Sequence, residues 1–257
     1  MLGKCVILLG LVVVSRADME SFIVGSEYAS IQNYPYSSFL SITCVIKYKT
    51  AHWICGASVV NQWILLTAGH CVHNCKIGTH IMARFGSNSS KEGMLRSASR
   101  FVLHEKYDSS SGEYDIALIK LFSPLRFSAK VSRVALMKKP PYKEIAYLAG
   151  WGLVNETTGE RSAMLKYVVQ KVWKHIDCEK KFKGVPIGTI CASAPETSDY
   201  ASRGDSGSAL VVRGYIQIGL VSYKVPGVAS NVIVYTDTGY FYDWINYNAE
   251  QLHCSSD

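Results

Sequence analysis

Residues 55–71, CGASVVNQWILLTAGHC, give the strongest local indication of how this chain folds. Two cysteines sixteen residues apart bracket an apolar run that predicts a pair of strands, and they would fix His70 at the turn of that pair. A histidine held in one place can act as an acid or a base. A lone histidine is usually structural, so the meaning of His70 depends on the rest of the chain.

Two further stretches supply what a catalytic histidine needs. The segment DIALIKL begins with a lone carboxylate, Asp115, and GDSG occupies residues 204–207. A serine hydroxyl is a weak nucleophile that needs a base to take its proton, and the base needs a carboxylate to hold its tautomer. Ser206, His70 and Asp115 are these residue types, so the three segments together predict a nucleophilic serine.

Composition and local patterns predict one all-β protein. The chain has 257 residues, 48% of them hydrophobic and 18% charged, which suits a large folded domain. Short segments rich in valine, isoleucine and tyrosine alternate with turn residues, which predicts a sandwich or barrels. These predicted strands are residues 38–48, 58–67, 100–104, 115–121, 144–148, 164–173 and 209–223.

A single helix is predicted at the end of the chain, in residues 239–252, GYFYDWINYNAEQL. Helical spacing brings several of its side chains to one face, which we expect to pack on the second half of the chain. They are Phe241, Trp244, Ile245 and Asn248. The Pro140-Pro141 region is a plausible linker, and we place the boundary between the two halves near residues 135–142.

Taken together, these motifs resemble the chymotrypsin/trypsin family of serine proteases. TAGHC is similar to the family's TAAHC, DIALIKL matches its motif, AGWG at residues 149–152 is similar to SGWG, and GDSGSAL is similar to GDSGGP. IVGS at residues 23–26 resembles the mature N-terminus IVGG, and VYT and DWI match C-terminal motifs. The resemblance implies two six-stranded antiparallel β-barrels with a short C-terminal helix and the active site between the barrels.

The resemblance also implies roles for individual residues. Ser206 would be the nucleophile, His70 the general base and Asp115 its orienting partner. The backbone N–H groups of Gly204 and Ser206 would form the oxyanion hole. After zymogen cleavage, the new amino group of Ile23 would pair with Asp205.

Seven cysteines remain after the N-terminal leader, so at least one has no partner within the chain. The pairs Cys55–Cys71 and Cys178–Cys191 match disulfides of the family. Cys44 and Cys75 have no common counterpart there, and we expect them to pair on neighbouring strands. Cys254 would then be free, or would link two chains in a disulfide-bonded dimer; otherwise we expect a monomer.

Departures from the family pattern gather at the primary specificity pocket. Tyr200 stands at the pocket base, where the family usually has a small residue or an aspartate. Lys224 and Ile233 stand where glycines usually admit the substrate side chain, and Ser202 replaces a disulfide cysteine. One such change would fit a different specificity, whereas three bulky residues together predict an occluded pocket.

The N-terminus predicts secretion. Residues 1–17 hold Lys4, a ten-residue apolar stretch from Cys5 and a Ser15-Arg16-Ala17 cleavage site, which is typical of a signal peptide. Residues 18–22 would be a short propeptide and residues 23–257 the protease-like domain. The bond to be cut follows Phe22, which a trypsin-like activator would not obviously cleave. Asn88 and Asn155 begin glycosylation sequons.

The pocket changes favour a narrower resemblance, to the inactivated serine protease paralogues of the scabies mite. It implies an extracellular protein, in the gut lumen, that binds host proteins such as complement components instead of cleaving them. The alternative is an active secreted endopeptidase with unusual specificity, because His70, Asp115 and Ser206 are all present.

Several partner classes find no support in the sequence. The net charge of +7 is scattered, and no basic run with interleaved aromatics predicts nucleic-acid binding. No apolar run is long enough to predict a membrane span. His70 and His73 are three residues apart but belong to the motif of a catalytic loop, and the other histidines show no paired spacing. The stretch 87–96 has only Glu92 as a carboxylate, so we predict neither metal nor cofactor.

Overall fold

The computed structural model describes residues 27–46, 49–76, 78–155, 158–182, 184–195, 201–224 and 231–254, without the side chains of residues 154 and 155. The predicted leader and propeptide, Ile23 and Tyr200 lie outside these residues. No helix among the described residues is long and apolar enough to cross a membrane.

The described elements are mostly strands. In chain order they are β1 (Glu27–Tyr28), β2 (Ser37–Ile46), β3 (Lys49–Val59), β4 (Ile64–Thr67), the 3₁₀ turn Gly69–Cys71, β5 (His80–Phe85), β6 (Met94–Leu103), β7 (Ala117–Leu121), β8 (Ala135–Leu136), β9 (Ile145–Gly150), β10 (Leu153–Asn155), β11 (Glu160–Arg161), β12 (Lys166–Val172), α1 (His175–Phe182), β13 (Thr189–Ser193), β14 (Ala209–Val212), β15 (Ile216–Lys224), β16 (Val232–Asp237) and α2 (Tyr242–Cys254).

The first half of the chain closes into a six-stranded antiparallel barrel, in the order β2-β3-β4-β7-β6-β5. Strand β2 shows why: its buried and half-exposed residues alternate, so that Leu40 and Ile42 face inward. They pack with Leu65, Ile119 and Leu121 in one apolar core. This barrel carries the turn that holds His70.

The second half closes in the same way. Each strand pairs with the next in the order β9-β12-β13-β16-β15-β14. Because β9 pairs with both β12 and β14, the ring is closed. Its core includes Leu148, Leu210, Val212 and Ile218. The prediction of two six-stranded antiparallel barrels with a short C-terminal helix is confirmed.

The structure corrects the expected packing of the C-terminal helix. Phe241, Ile245 and Leu252 share an apolar cluster mainly with first-barrel residues such as Leu66 and Leu118, and Leu220 is the buried member from the second barrel. Strand β7 is buried along its whole length, so it needs an apolar cover on its outer face. Helix α2 supplies that cover, and by reaching back to the first barrel it ties the two halves together.

Two predicted strands are each divided by a turn, and one helix was not predicted. Residues 58–67 contain the end of β3 and the whole of β4, and residues 209–223 contain β14 and β15 around a turn with Arg213 at a positive φ of 54°. Helix α1 was missed because its charged sequence, HIDCEKKF, buries only Cys178 and has no long apolar face.

Candidate active site

The loop after β4 positions His70. Strand β4 ends at Thr67 and the chain continues into the 3₁₀ turn Gly69–Cys71. A disulfide joins Cys71 to Cys55 of β3, and the indole N–H of Trp53 donates to the Cys71 carbonyl oxygen over 3.0 Å. The His70 side chain, 34% exposed, is therefore held at the rim of the first barrel.

Asp115 is buried at 3% exposure and accepts three hydrogen bonds. Oδ1 accepts the backbone N–H of His70 over 2.7 Å, whereas Oδ2 lies 2.8 Å from His70 Nδ1 and accepts the Ser222 hydroxyl over 2.5 Å. Burial raises the pKa of Asp115, but the His70 charge and these hydrogen bonds outweigh it and hold the pKa below its usual range. An ionised carboxylate only accepts, so Nδ1 of His70 carries the proton.

The tautomer of His70 leaves its other ring nitrogen available as a base. With Nδ1–H donating to Asp115, neutral His70 presents the Nε2 lone pair. Burial lowers the pKa of His70, whereas the Asp115 charge and hydrogen bond raise it, and the net effect is upward. The pair can therefore accept a proton and stabilise the resulting imidazolium, as general-base catalysis requires.

Close backbone contacts bring the Ser206 loop against the first barrel. The Gly56 N–H donates to the Ser206 carbonyl oxygen over 2.8 Å. Gly207 has a φ of +79°, and a Cβ there would lie 2.2 Å from Thr67 Oγ1, so no larger residue fits. Among the described contacts no hydrogen bond joins the Ser206 hydroxyl to the His70 ring; such bonds often tighten only when substrate binds.

Asp205, beside the serine, is almost fully buried. Its carboxyl oxygens accept the backbone N–H groups of Gly152 and Ser202 over 2.8 and 3.0 Å. Burial raises its pKa to about 6, even though these bonds and two nearby cations oppose the shift. Its predicted partner Ile23 lies outside the described residues.

A cavity of about 530 Å³ opens next to Ser206. The predicted pocket positions Lys224 and Ile233 both line it, and they are directly paired across β15 and β16. Ile233 is 1% exposed and packs into the core of the second barrel, while Lys224 is half-buried. The other described lining residues are Leu153, Gly159, Ala201, Ser202, Arg203, Val221, Ser222 and Tyr223.

A second cavity, of about 410 Å³, lies on the histidine side. Ser222 and Tyr223 line both cavities, so the two form neighbouring parts of one cleft between the barrels. The loop after β6 closes its far side with Tyr107 and residues 109–112. Asp108 stiffens that loop, because its carboxylate accepts hydrogen bonds from the hydroxyls of Ser110 and Ser111.

Three disulfides occur among the described residues. Cys44 bonds to Cys75, Cys55 to Cys71 and Cys178 to Cys191, whereas Cys254 is exposed and unbonded. The described part of the chain has one group of three possible metal ligands, Cys55, His70 and Cys71. Its two cysteines are bonded to each other, so the group offers no thiolate.

The two sequons differ in what the structure describes. Asn88 is half-buried in the loop between β5 and β6. Its side-chain Oδ1 accepts the Ile31 N–H over 2.7 Å, and its backbone carbonyl oxygen accepts the Trp151 indole N–H over 2.7 Å. Asn155 lies in β10, with its side chain outside the described residues.

Sequence reasoning missed several residues that support the site. The sequence assigned no role to Ser222, although its hydroxyl donates to the Asp115 carboxylate, or to Thr236, whose hydroxyl donates to the Asp115 carbonyl oxygen over 2.7 Å. Arg161 belongs to none of the sequence motifs, yet its guanidinium lies beside Gly204. The sequence could not reveal the contacts of Ser222 and Thr236 with Asp115, because both residues lie more than 100 positions from Asp115 along the chain.

Comparison with known proteins agrees with this geometry. The trypsin family model matches residues 23–245. Hypodermin-B of Hypoderma lineatum is 31% identical over 242 residues, which cover 91% of this chain and 90% of that protein. The scabies mite inactivated protease paralogue S-D1 has the same fold, with a TM-score of 0.76 at 21% identity over 88% of this chain and 97% of that one. HL collagenase also shares the fold, with a TM-score of 0.74 at 24% identity over 88% and 98%. The chain therefore belongs to the trypsin family and is a homologue of its serine proteases.

Proposed function

We propose that this protein is secreted and binds other proteins in the cleft between its barrels, with little or no hydrolysis. The observation that carries the proposal is the pairing of Lys224 with Ile233 in the wall of the cavity beside Ser206. The family has glycines at both positions, so the wall here is bulky where a substrate side chain would enter. Tyr200, at the position of the pocket base, adds a third bulky residue from the sequence.

Bulk at this place lowers turnover more than binding. Hydrolysis requires the scissile carbonyl to sit within about 3–3.5 Å of the serine oxygen, and a misplacement of about 1 Å costs roughly 10²-fold in rate. Binding in the cleft, including the cavity of about 530 Å³ that remains beside Ser206, does not depend on that alignment. A chain with His70, Asp115 and Ser206 but an altered wall can therefore hold a protein segment without cleaving it.

A second obstacle to hydrolysis is activation. The proposed Ile23–Asp205 pair needs cleavage after Phe22, and the aromatic side chain does not suit a trypsin-like activator. Until the new amine forms, Asp205 stays without that cation, and its raised pKa reflects its burial. A loop without this ion pair would leave the N–H groups of Gly204 and Ser206 poorly fixed for an oxyanion.

The partners that we propose are host proteins, including complement components. The support is the resemblance of Tyr200, Ser202 and Lys224 to the mite paralogues, and the S-D1 paralogue, described as inactivated, indicates that this fold does not by itself ensure proteolysis. The leader sequence and the three disulfides support an extracellular location.

A fluorophosphonate probe tests the proposal directly. The full chain is expressed in eukaryotic cells, purified from the medium and compared with Ser206→Ala, the matched control that removes only the hydroxyl. We expect neither labelling of Ser206 nor casein hydrolysis above that control. Strong labelling that disappears in Ser206→Ala would overturn the proposal.

An active endopeptidase of narrow specificity is the second candidate. Two observations favour it: the hydrogen bonds of Asp115 to His70 and Ser222 are in place, and the cavity beside Ser206 retains about 530 Å³. A peptide library offered to protein cut before Ile23 separates the two candidates. A cleaved sequence shared by many library members supports the enzyme, whereas intact peptides after prolonged incubation rule it out.

A further inference from the structure

Two cationic side chains line the cavity beside Ser206, and a third, Arg161, lies against the serine loop. Arg203 and Lys224 line it directly. Arg161 comes from β11, the short strand that pairs with β10 beside the loop of the nucleophile. Apart from Arg203 and Lys224, every described lining residue is uncharged.

Contacts with the serine loop fix the location of Arg161. Its Nη1 donates to the Arg203 carbonyl oxygen over 3.3 Å. A Cβ built on Gly204 would lie 2.7 Å from the same nitrogen. The guanidinium therefore lies against the backbone of residues 203–204, next to the proposed oxyanion hole.

The positive charges of Arg161 and Lys224 affect the buried Asp205 carboxyl in the serine loop. The positive charges of Arg161 and Lys224 both act to lower the pKa of the Asp205 carboxyl, although burial has the larger, opposite effect. Cationic groups that converge on a cleft with apolar walls focus the field there and raise the local concentration of anions. Val221 and Ile233 supply such walls here.

We propose that the cavity beside Ser206 accepts a carboxylate side chain, glutamate or aspartate, from an acidic segment of a partner protein. This inference rests on the proposed function, because it names the chemistry that the same cleft binds. Arg203 is exposed and can approach the carboxylate through two parallel N–H donors, a geometry that lysine does not offer. Lys224 adds a second positive charge among the residues that line the cavity.

A pair of matched peptides tests the choice of ligand. Fluorescein-labelled peptides that differ only in one residue, Glu or Gln, are titrated against the secreted full-length Ser206→Ala protein by fluorescence anisotropy. We expect the Glu peptide to bind about tenfold more tightly. We also expect this ratio to shrink as NaCl is raised, because added salt screens exposed charges.

Charge reversal assigns the effect to the cavity. Arg203→Glu with Lys224→Glu should abolish the preference for Glu and favour a Lys peptide. Arg126→Glu with Lys130→Glu is the matched control: it changes the net charge equally at exposed residues outside the cavity, and should leave the ratio unchanged. If the doubly reversed protein does not fold, the single variant Arg203→Ala replaces it, because the Arg203 side chain is exposed. This variant should reduce the ratio of Glu-peptide affinity to Gln-peptide affinity.

The outcomes separate this inference from the proposed function. Equal binding of the Glu and Gln peptides, a preference that survives charge reversal, or no binding of either peptide would each overturn the acidic ligand. None of these results depends on hydrolysis, because the nucleophile has been removed. Conversely, the protein with Ser206 intact could cleave the Glu peptide and not the Gln peptide. That result would support the acidic ligand and contradict the proposed lack of turnover.

Discussion

The two barrels contribute very different halves to the same cleft. On the first barrel, His70 donates to the Asp115 carboxylate from both its backbone N–H and its ring Nδ1, and the disulfide at Cys71 supports the turn. On the second barrel, the wall carries Lys224 against Ile233. The first barrel, which carries His70 and Asp115, keeps the residue types of the family at these positions, whereas the cavity wall of the second barrel departs from the family pattern.

This difference shows that proton transfer and substrate recognition are built from separable contacts. The Asp115 carboxylate is fixed by groups within the His70 loop and by Ser222. Ser222 also lines the cavity, yet its bond to Asp115 is in place although Lys224 and Ile233 stand where the family usually has glycines. Changes in the wall can therefore accumulate without disturbing His70. A family member with a complete set of catalytic residue types need not be an efficient protease.

Restoring space in the cavity should have the largest effect. In protein cut before Ile23, the substitutions Tyr200→Ala, Lys224→Gly and Ile233→Ala together should raise hydrolysis of casein by at least about 10²-fold, because they would let a substrate reach near-attack geometry. Casein fluorescence release measures the rate. The same triple variant with Ser206→Ala is the control and should return to background.

If the triple variant folds, as judged by circular dichroism, but gains no activity, the contrast between the two halves is incorrect. The defect would then lie on the side of His70 and Ser206. Ile233→Ala alone should cost roughly 2–5 kcal/mol of stability, since the side chain is buried in a barrel core. Stability is therefore measured for every variant before activity is compared.

Asp205 predicts an effect of pH on stability of about 3 kcal/mol. Its pKa is about 6 in the folded, uncut chain and near 3.8 in the unfolded chain. Between these pH values the folded state binds more protons, so the free energy of unfolding falls as the pH rises, by about 3 kcal/mol in total. Urea unfolding at several pH values, compared with Asp205→Asn, isolates this contribution.

Cleavage should remove that dependence if Ile23 supplies the partner cation. The variant Phe22→Arg allows trypsin to cut before Ile23, so one protein can be studied before and after cleavage. We expect the fall in stability between about pH 3.8 and pH 6 to disappear after cleavage, because a paired carboxylate stays ionised in the folded state over that range. A pH dependence identical before and after the cut would show that the new amine does not reach Asp205.

The smallest predicted effect concerns Ser222. The variant Ser222→Ala removes one hydrogen bond from a buried carboxylate and should cost roughly 1–3 kcal/mol in the free energy of unfolding. It should also raise the pKa of Asp115. Ser99→Ala is a suitable control, since that hydroxyl makes a longer bond of 3.3 Å, to the Lys120 carbonyl oxygen, and should cost less. Equal losses in both variants would argue that Ser222 does not support the histidine side.

Short motifs were enough to predict the barrels, because His70, Asp115 and Ser206 lie in segments whose local sequence is distinctive. The support of Asp115 by Ser222 and Thr236 could not be predicted, since it depends on how β15 and β16 approach the first barrel. The prediction of how α2 packs was wrong for a related reason. A helix's apolar face shows that it packs, whereas the partner is decided by which surface, here that of β4 and β7, needs cover.

The backbone bond from Gly56 to the Ser206 carbonyl oxygen has a consequence for protein engineering. It attaches the serine loop to the opposite barrel at a point that no side chain can alter, and Gly207 leaves no room for a residue that would separate the two. Randomised libraries at residues 200 and 224 should therefore sample new recognition surfaces while the serine loop stays in register. The molecule is suited to serve as a frame on which binders, and later catalysts, are selected.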